Sequence, residues 1–387
     1  MTQPSRLDLL FNRPRFNLAV QRPRFDTRHS VLAQRPLRKI GVGHCATVWA
    51  NPYPVFYEDD SEESSEAGVV QVGKKAKDVV VVVKKYDGGC GRSPTVDWAT
   101  QKRIERALGT VPKDRIQVYT RWNIPWCIEF LHPQDAESWE PILACMPARS
   151  TSCRALILER IPSLSEADRK VLIQIYCPRA MQDAALADVD NEDCLIRPYL
   201  GYRGRSPCQQ GGTFSLRNFP LYLNQIEELG LDKLSYANAM AEALAFLHWK
   251  AQVDGLGIEF VLAPQREPPS DEGPDATSSK KGFLGDHQLW ILDFECCKPI
   301  LPTAEGVDKA VDAFFMNDPS FPRPGRPGTV DDILWRLFTN TYLSKSLGLF
   351  RRGELKPNVK EMSRLFIEKV VKRSMDLALN TAAIMAE

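Results

Sequence analysis

The sequence predicts an α+β fold with two unequal lobes, a small β-rich N-lobe and a larger helical C-lobe. Strand-like apolar runs dominate the chain up to Ile161. After Ile161, apolar residues recur at spacings of three and four, which is typical of amphipathic helices. A chain of 387 residues is long enough for one two-lobed domain with a substantial core. We therefore expect an N-terminal arm at 1–36, the N-lobe at 37–161 and the C-lobe at 162–387.

The elements of each lobe follow from the spacing of the apolar residues and from the residues that end each run. The predicted strands are Lys39–Ala50 with a turn at two glycines, Val79–Tyr86, Arg115–Thr120, Ala155–Ile161 and, in the C-lobe, Leu289–Leu292. One charged helix is predicted in the N-lobe, Asp97–Leu108, with Asp97 as its capping residue. The predicted C-lobe helices are Phe219–Leu229, Ser235–Val253, Val307–Phe315, Val330–Leu347 and Val359–Leu379.

Three segments lack the pattern of a packed element. Residues 1–36 contain "RPRF" twice and an excess of arginine, which predicts a flexible basic arm. Residues 58–68 form an acidic insertion, and residues 264–282 form a disordered insertion rich in Pro, Ser, Asp and Gly. The arm and the acidic insertion are the expected contact sites for a protein partner.

The composition limits the classes of function. The 50 basic and 49 acidic residues nearly cancel, so nucleic acid is not expected as a partner. No apolar stretch is long enough to span a bilayer, and membrane is not expected either. Ten cysteines without a secretory signal or a CxxC pair predict reduced thiols in the cytoplasm or nucleus. No zinc site is predicted.

The stretch "IGVGHCATVW" predicts a hairpin in which Gly41 and Gly43 let backbone N–H groups approach a polyphosphate. The alternative is a hairpin without a ligand, since Ala46 stands where a third glycine is expected. "DVVVVVKKYD" then ends a buried strand with two lysines. Because side chains alternate across a strand, only one of them can face a cleft, and we favour Lys84 as the phosphate ligand. The alternative is that both lysines end the strand in solvent.

Two glutamates complete the predicted nucleotide pocket. Glu105, in the charged helix, is the residue expected to pair with Lys84 and hold it in position. Glu159 ends the strand "ALILERIP" at the boundary between the lobes, where backbone groups from Glu159 to Ile161 are expected to meet an adenine edge. The alternative for Glu105 is a solvated glutamate on a helix surface. The alternative for Glu159 is an ordinary strand end without a ligand.

The C-lobe supplies the remaining candidates. In "HWKAQVDGLGIEF", Asp254 stands five residues before Glu259, which is the spacing between Asp and Asn in the kinase loop H-R-D-L-x-x-x-N. Asp254 is the predicted catalytic residue, and Glu259 a predicted magnesium ligand. In "LWILDFECCKPI", Asp293 ends a buried strand before a phenylalanine, the pattern of a metal-binding D-F-G with Glu295 in place of the glycine.

All these signals occur in the chain order that a protein-kinase-like fold requires, and their conjunction predicts that fold. Three stretches also resemble filamentous-fungal proteins of a family catalogued as a domain of unknown function and sometimes labelled "zinc finger protein". They lie between Leu247 and Pro324: "LHWKAQVDGLGIEFVL", "LWILDFECCKPI" and "VDAFFMNDPSFPRP". The resemblance implies no established reaction. In the third stretch, Asn317 and Asp318 predict an Asx-type turn before the prolines.

Three hypotheses follow. The first is a phosphotransferase dependent on magnesium and ATP, with Lys84 on the phosphates, Asp293 and Glu259 on the metal, and Asp254 orienting an acceptor hydroxyl. The second is a pseudokinase, an interaction module that keeps the fold without catalysis. It is favoured by Ala46, Glu259, Glu295 and the absence of the arginine of H-R-D. The third is a zinc- or DNA-associated regulatory protein, which rests on the basic arm and the family label.

Overall fold

A computed structural model describes residues 36–43, 46–51, 80–86, 93–111, 121–204, 214–265, 283–325, 327–350 and 358–384. The predictions for the arm, for the acidic insertion 58–68, for the strand Arg115–Thr120 and for most of the insertion 264–282 lie outside these residues. The described part is a mixed α+β structure with two five-stranded sheets and nine α-helices.

The first sheet is antiparallel and is formed by the N-terminal part of the chain, in the order β1-β2-β3-β6-β5. Its strands are β1 (Arg38–Val42), β2 (Ala46–Ala50), β3 (Val81–Tyr86), β5 (Cys127–Leu131) and β6 (Ala155–Glu159). The predicted glycine hairpin is present as β1 and β2. The strand β3 has neighbours on both edges and is buried along its whole length, as its run of valines predicts.

Two helices accompany this sheet, α1 (Pro94–Gly109) and α2 (Ala136–Ala144). Helix α2 packs Trp139 and Ile142 against the valines of β3. Helix α1 begins three residues earlier than predicted, with Ser93 at its N-cap and a proline in the first turn, a position that proline favours. The prediction that Asp97 caps this helix is therefore wrong. Asp97 lies inside the first turn and is buried.

The second sheet was not predicted, apart from its strand β10. Its order is β4-β10-β9-β7-β8, and its strands are β4 (Trp122–Asn123), β7 (Ile196–Tyr199), β8 (Phe219–Tyr222), β9 (Glu259–Pro264) and β10 (His287–Leu292). The strand β4 pairs in parallel with β10. A segment from the predicted N-lobe is thus part of the C-lobe sheet, so the boundary at residue 161 does not separate the two sheets completely.

The prediction of a helix over Phe219–Leu229 is wrong in its first third. Residues 219–222 form β8, at the edge of the sheet, and the helix α5 begins only at Leu223. In β8, Phe219 and Leu221 are buried while Pro220 is half-buried, which is the alternation of a strand. An edge strand tolerates Pro220 because the missing N–H can face away from the sheet.

The remaining helices form the larger part of the second half. They are α3 (Glu166–Tyr176), α4 (Gln182–Ala187), α5 (Leu223–Glu228), α6 (Lys233–Ala245), α7 (Ala304–Met316), α8 (Val330–Gly348) and α9 (Val359–Ile384). Helix α6 continues as one π-helical turn, Phe246–Ala251. Because both α6 and this turn are buried almost throughout, they form the centre of the main core. Among the described residues, no helix is long and apolar enough to cross a membrane.

Candidate functional site

Lys84 is the centre of a buried charge cluster. It lies in the middle strand of the first sheet, paired with Val48 on one side and Leu156 on the other. The alternation of side chains directs Lys84 and Lys85 to opposite faces. Lys85 donates to the carbonyl of Thr151 at 3.1 Å, while Lys84 meets carboxylates that come from two distant segments.

Three carboxylates contact the Lys84 ammonium. Its Nζ lies 2.7 Å from Asp293 Oδ1, 2.9 Å from Asp97 Oδ2 and 3.2 Å from Glu295 Oε2. Burial by itself would lower the pKa of Lys84, but Asp293 and Asp97 outweigh it and hold the pKa well above its ordinary value. The lysine is therefore a fixed cation.

The helix α1 supplies Asp97 to this cluster, whereas Glu105 was predicted. Along a helix, eight residues correspond to about 12 Å, so the two side chains reach different neighbours. Glu105 accepts from the amide of Cys127 at 2.8 Å and from Lys102 Nζ at 3.0 Å. Asp97 also accepts a hydrogen bond from Tyr86. The first turn of α1 is thus the part that supports Lys84.

Asp293 occupies a strained position at the end of β10. Its φ of 63° lies in the left-handed region, which non-glycine residues rarely adopt, although Asp tolerates it better than most. Such strain concentrates at functional sites. Glu295, which stands where D-F-G has its glycine, is buried and contributes the third carboxylate to Lys84.

Asp254 organises the loop that follows the π-helical turn. Its Oδ1 accepts from the amides of Lys298 at 2.8 Å and Leu256 at 3.0 Å, and its own amide donates to the Lys298 carbonyl at 3.0 Å. Asp254 is only 3% exposed, and burial raises its pKa in opposition to these donors. The carboxylate thus joins the loop to the segment that follows Asp293.

Two further contacts hold the same loop. The Asn317 side chain donates to the Gly255 carbonyl at 2.8 Å and accepts from the Gly257 amide at 2.7 Å. Asn317 was expected to close its own Asx-type turn, but these contacts bind it to the loop. Gly257 has a φ of 81°, and a Cβ there would lie 2.9 Å from Cys296 Cβ, so only glycine fits.

Glu259 is the first residue of β9 and belongs to a second group of charged side chains, with Arg197 and Asp318. It is ion-paired with Arg197, whose Nη1 lies 3.5 Å from Asp318 Oδ2. Burial and repulsion from Asp293 together raise the pKa of Glu259 to about 7, against the lowering effect of Arg197. The repulsion indicates that Glu259 and Asp293 share one electrostatic environment.

The glycine hairpin lies one strand away from Lys84. Gly41 pairs with Val48, which in turn pairs with Lys84, and the Gly43 amide closes the turn on the Ala46 carbonyl at 2.8 Å. Residues 44 and 45 lie outside the described part. The hairpin thus lies beside the strand that carries Lys84. The Gly43 amide donates its hydrogen bond within the turn and is not directed at a ligand.

The predicted adenine-facing linker is engaged within the protein. The Glu159 amide donates to the Trp126 carbonyl at 2.9 Å, and the Glu159 carboxylate accepts from the Trp126 amide at 2.9 Å. The Arg160 amide donates to the Val80 carbonyl at 2.8 Å. Since these two amides already have protein acceptors, they are not directed at a ligand.

The side chains at this site carry more negative than positive charge. The cations are Lys84 and Arg197, and the carboxylates that contact them are Asp97, Asp293, Glu295, Glu259 and Asp318. A divalent cation would offset this excess, and carboxylate oxygens are the donors that magnesium prefers. Among the described residues, no three His, Cys, Asp or Glu side chains are arranged so that they could by themselves hold a metal ion. Magnesium commonly takes only one or two carboxylates and completes its shell with phosphate and water.

The residues that sequence reasoning missed are Asp97, Glu295 as a lysine partner, Arg197 and Asp318. Asp97 carried a usable signal, because it is a carboxylate in the first turn of the helix after the lysine strand and is closer to Lys84 in sequence than Glu105 is. Arg197 carried none. It lies in a strand that was not predicted, and its partner is 62 residues away.

Fold and site together define a mixed α+β protein with an acidic cluster around a buried lysine. Residues 289–354 match the model of a family, a domain of unknown function described as "zinc finger protein". The matched segment begins in β10 and includes Asp293 and Glu295. Searches of the curated proteins and of the solved structures found no match. None of the seven cysteines in the described part of the chain forms a disulfide.

Proposed function

We propose that this chain is a protein-kinase-like protein that binds a magnesium–nucleotide complex between its two sheets. One observation carries the proposal, the 2.7 Å contact between Lys84 Nζ and Asp293 Oδ1, which joins residues 209 positions apart. In a kinase site, the corresponding strand lysine meets the phosphates and the aspartate of D-F-G binds magnesium. The order of the motifs, with the glycine hairpin beside the lysine strand, supports the same assignment.

The residues present fit a magnesium ion in charge and donor type. Asp293 would hold the ion through its carboxylate oxygens, beside Glu259, which is ion-paired with Arg197 and whose pKa is raised by burial and by repulsion from Asp293. The ion would neutralise phosphate charge and the two carboxylates together. Lys84, held as a cation by Asp97 and Glu295, would then meet the phosphates.

Nucleotide binding can be tested with two neighbouring lysines. Lys84→Met removes the cation that faces the acidic cluster, while Lys85→Met removes an equally buried lysine on the opposite face and serves as the matched control. We expect Mg-ATP to stabilise the wild type and Lys85→Met by about 2.7 kcal/mol at 100 times the dissociation constant. Lys84→Met should show no such shift. If millimolar Mg-ATP stabilises none of the three proteins, the proposal is refuted.

A second candidate function is phosphoryl transfer to a hydroxyl group, with Asp254 as the group that orients it. The observation in its favour is the raised pKa of this buried carboxyl, since an aspartate tuned upward is a better proton acceptor. Against it, Oδ1 already accepts two backbone N–H groups. A binding module without catalysis would use Asp254 only to shape the loop.

Asp254→Asn separates the two candidates. The amide oxygen can still accept from Leu256 and Lys298, so the loop and nucleotide binding should be retained. If the protein is a phosphotransferase, ATP turnover by the variant should fall by at least 100-fold relative to the wild type. Turnover that is unchanged in Asp254→Asn would remove this residue from the mechanism. Binding without any turnover in the wild type would establish the non-catalytic module.

A further inference from the structure

Arg197 is a cation built into the proposed metal site. It lies in the short strand β7, where Ile196 and Pro198 are buried while Arg197 and Tyr199 are half-buried on the opposite face. Its guanidinium is ion-paired through Nη2 with Glu259 and lies, through Nη1, 3.5 Å from Asp318 Oδ2. An arginine is always charged at physiological pH. The carboxylate predicted as a magnesium ligand therefore already has a permanent cation.

The surrounding residues fix this arrangement. The Tyr199 hydroxyl donates to Asp318 Oδ2 at 2.7 Å, so the second carboxylate is held from the same strand that carries Arg197. The side chains of Arg197 and Glu259 are 17% and 21% exposed. Separating a pair that is largely removed from water leaves two charges without compensation. A metal ion at Glu259 would have to displace a guanidinium held in this way.

We propose that the Arg197 guanidinium takes the place of one of the two metal ions of a kinase cleft, so that this protein binds a single divalent cation. A kinase site holds two magnesium ions, one on the aspartate of D-F-G and one on the amide residue five positions after the catalytic aspartate. In this chain, Glu259 stands five positions after Asp254, where a kinase has the second metal ligand, and the cation that contacts Glu259 is Arg197. The remaining ion would bind at Asp293. The inference rests on the proposed function for the identity of the ligand, but the metal count can be measured separately.

The experiment is a titration of the 387-residue chain with Mn²⁺, in which electron paramagnetic resonance measures the free ion, with and without ATP. The proteins are the wild type, Arg197→Met and Arg197→Gln. The matched control is Arg217→Met, because Arg217 is also ion-paired, at 2.7 Å to Asp190, and has a similarly shielded side chain at 23% exposure. A thermal unfolding curve of each protein establishes that it is folded.

We expect one tight Mn²⁺ per wild-type chain and per Arg217→Met chain in the presence of ATP. Both Arg197 variants should bind one ion more than the wild type. Without ATP, they should bind Mn²⁺ at least tenfold more tightly than the wild type, because Glu259 and Asp318 become available. Two ions in the wild type, or equal counts in the wild type and the Arg197 variants, would overturn the inference. Failure of ATP to bind any of these proteins would refute the proposed function, while the titration without ATP would still decide the role of Arg197.

Discussion

Two buried charge clusters in this molecule have opposite balances. Around Lys84, one cation meets three carboxylates, which come from α1 and from the segment after β10. Around Glu242 in α6, one carboxylate meets two cations, Lys345 at 2.8 Å and Arg121 at 3.9 Å. The central residue of each cluster, Lys84 or Glu242, is buried, yet only the first cluster accumulates negative charge.

The opposite charge balances distinguish the two clusters. The cluster around Glu242 is a set of ion pairs that supports packing, whereas the cluster around Lys84 can accept a cationic ligand. Burial raises the pKa of Glu242, and the neighbouring cations Lys345 and Arg121 oppose this effect, so the charges around this carboxylate favour its ionised form. At the first cluster, nearby Glu259 has a raised pKa partly because of repulsion from Asp293. Repulsion between carboxylates is the local property that a bound cation would relieve.

The largest expected effect is that of Lys84→Met. The substitution removes the cation that contacts Asp97, Asp293 and Glu295 and leaves buried carboxylates facing each other. We expect the free energy of unfolding to fall by about 3 to 5 kcal/mol at pH 7, measured by urea denaturation. Lys85→Met, on the other face of β3, should cost less. If both substitutions lower the free energy of unfolding equally, the carboxylates around Lys84 have no effect beyond that of burying a lysine.

Lys345→Met tests the other cluster and should have a smaller effect. Glu242 keeps Arg121 nearby and can take up a proton, so we expect a loss of about 1 to 3 kcal/mol at pH 8. A carboxyl whose pKa is higher in the folded than in the unfolded state contributes stability at low pH and loses it as the pH rises. The loss should therefore be smaller at pH 5 than at pH 8 in urea denaturation. A loss independent of pH would mean that Glu242 does not titrate.

Glu259→Gln has the smallest expected effect and tests the excess of negative charge near the Lys84 cluster. The pKa of Glu259 is raised from 4.5 to about 7, so the stability that this group contributes below pH 4.5 is lost as the pH rises from 4.5 to 7. Glutamine does not titrate. Relative to the wild type, the variant should gain about 1 to 2 kcal/mol between pH 5 and pH 8, a discounted figure because the side chain is partly exposed.

The control for this prediction is Glu305→Gln, at an exposed position in the first turn of α7. It should leave the pH dependence of stability close to that of the wild type. If Glu259→Gln follows the wild type at every pH, Glu259 is already ionised at low pH and the site is not short of positive charge.

The parts that could be read from the sequence are those set by local pattern. The valines before Lys84 predicted a buried strand, the two glycines before Thr47 predicted a hairpin, and the long apolar periodicities predicted α6 to α9 within a few residues. In each of these cases, neighbouring residues carried the information. The order of the motifs predicted that Lys84 and Asp293 belong to one site, and their side chains are in contact.

The sequence by itself determined which chemistry is present, a strand lysine, Asp254, Glu259 and Asp293 in a fixed order. Only the tertiary structure decided the partners, Asp97 in place of Glu105 at the lysine and Arg197 at Glu259. The physical reason is that the position of each helix and the pairing of distant strands decide which side chains come within reach of each other. No local pattern encodes such contacts, because the energy that selects them comes from burial and charge compensation in the assembled fold.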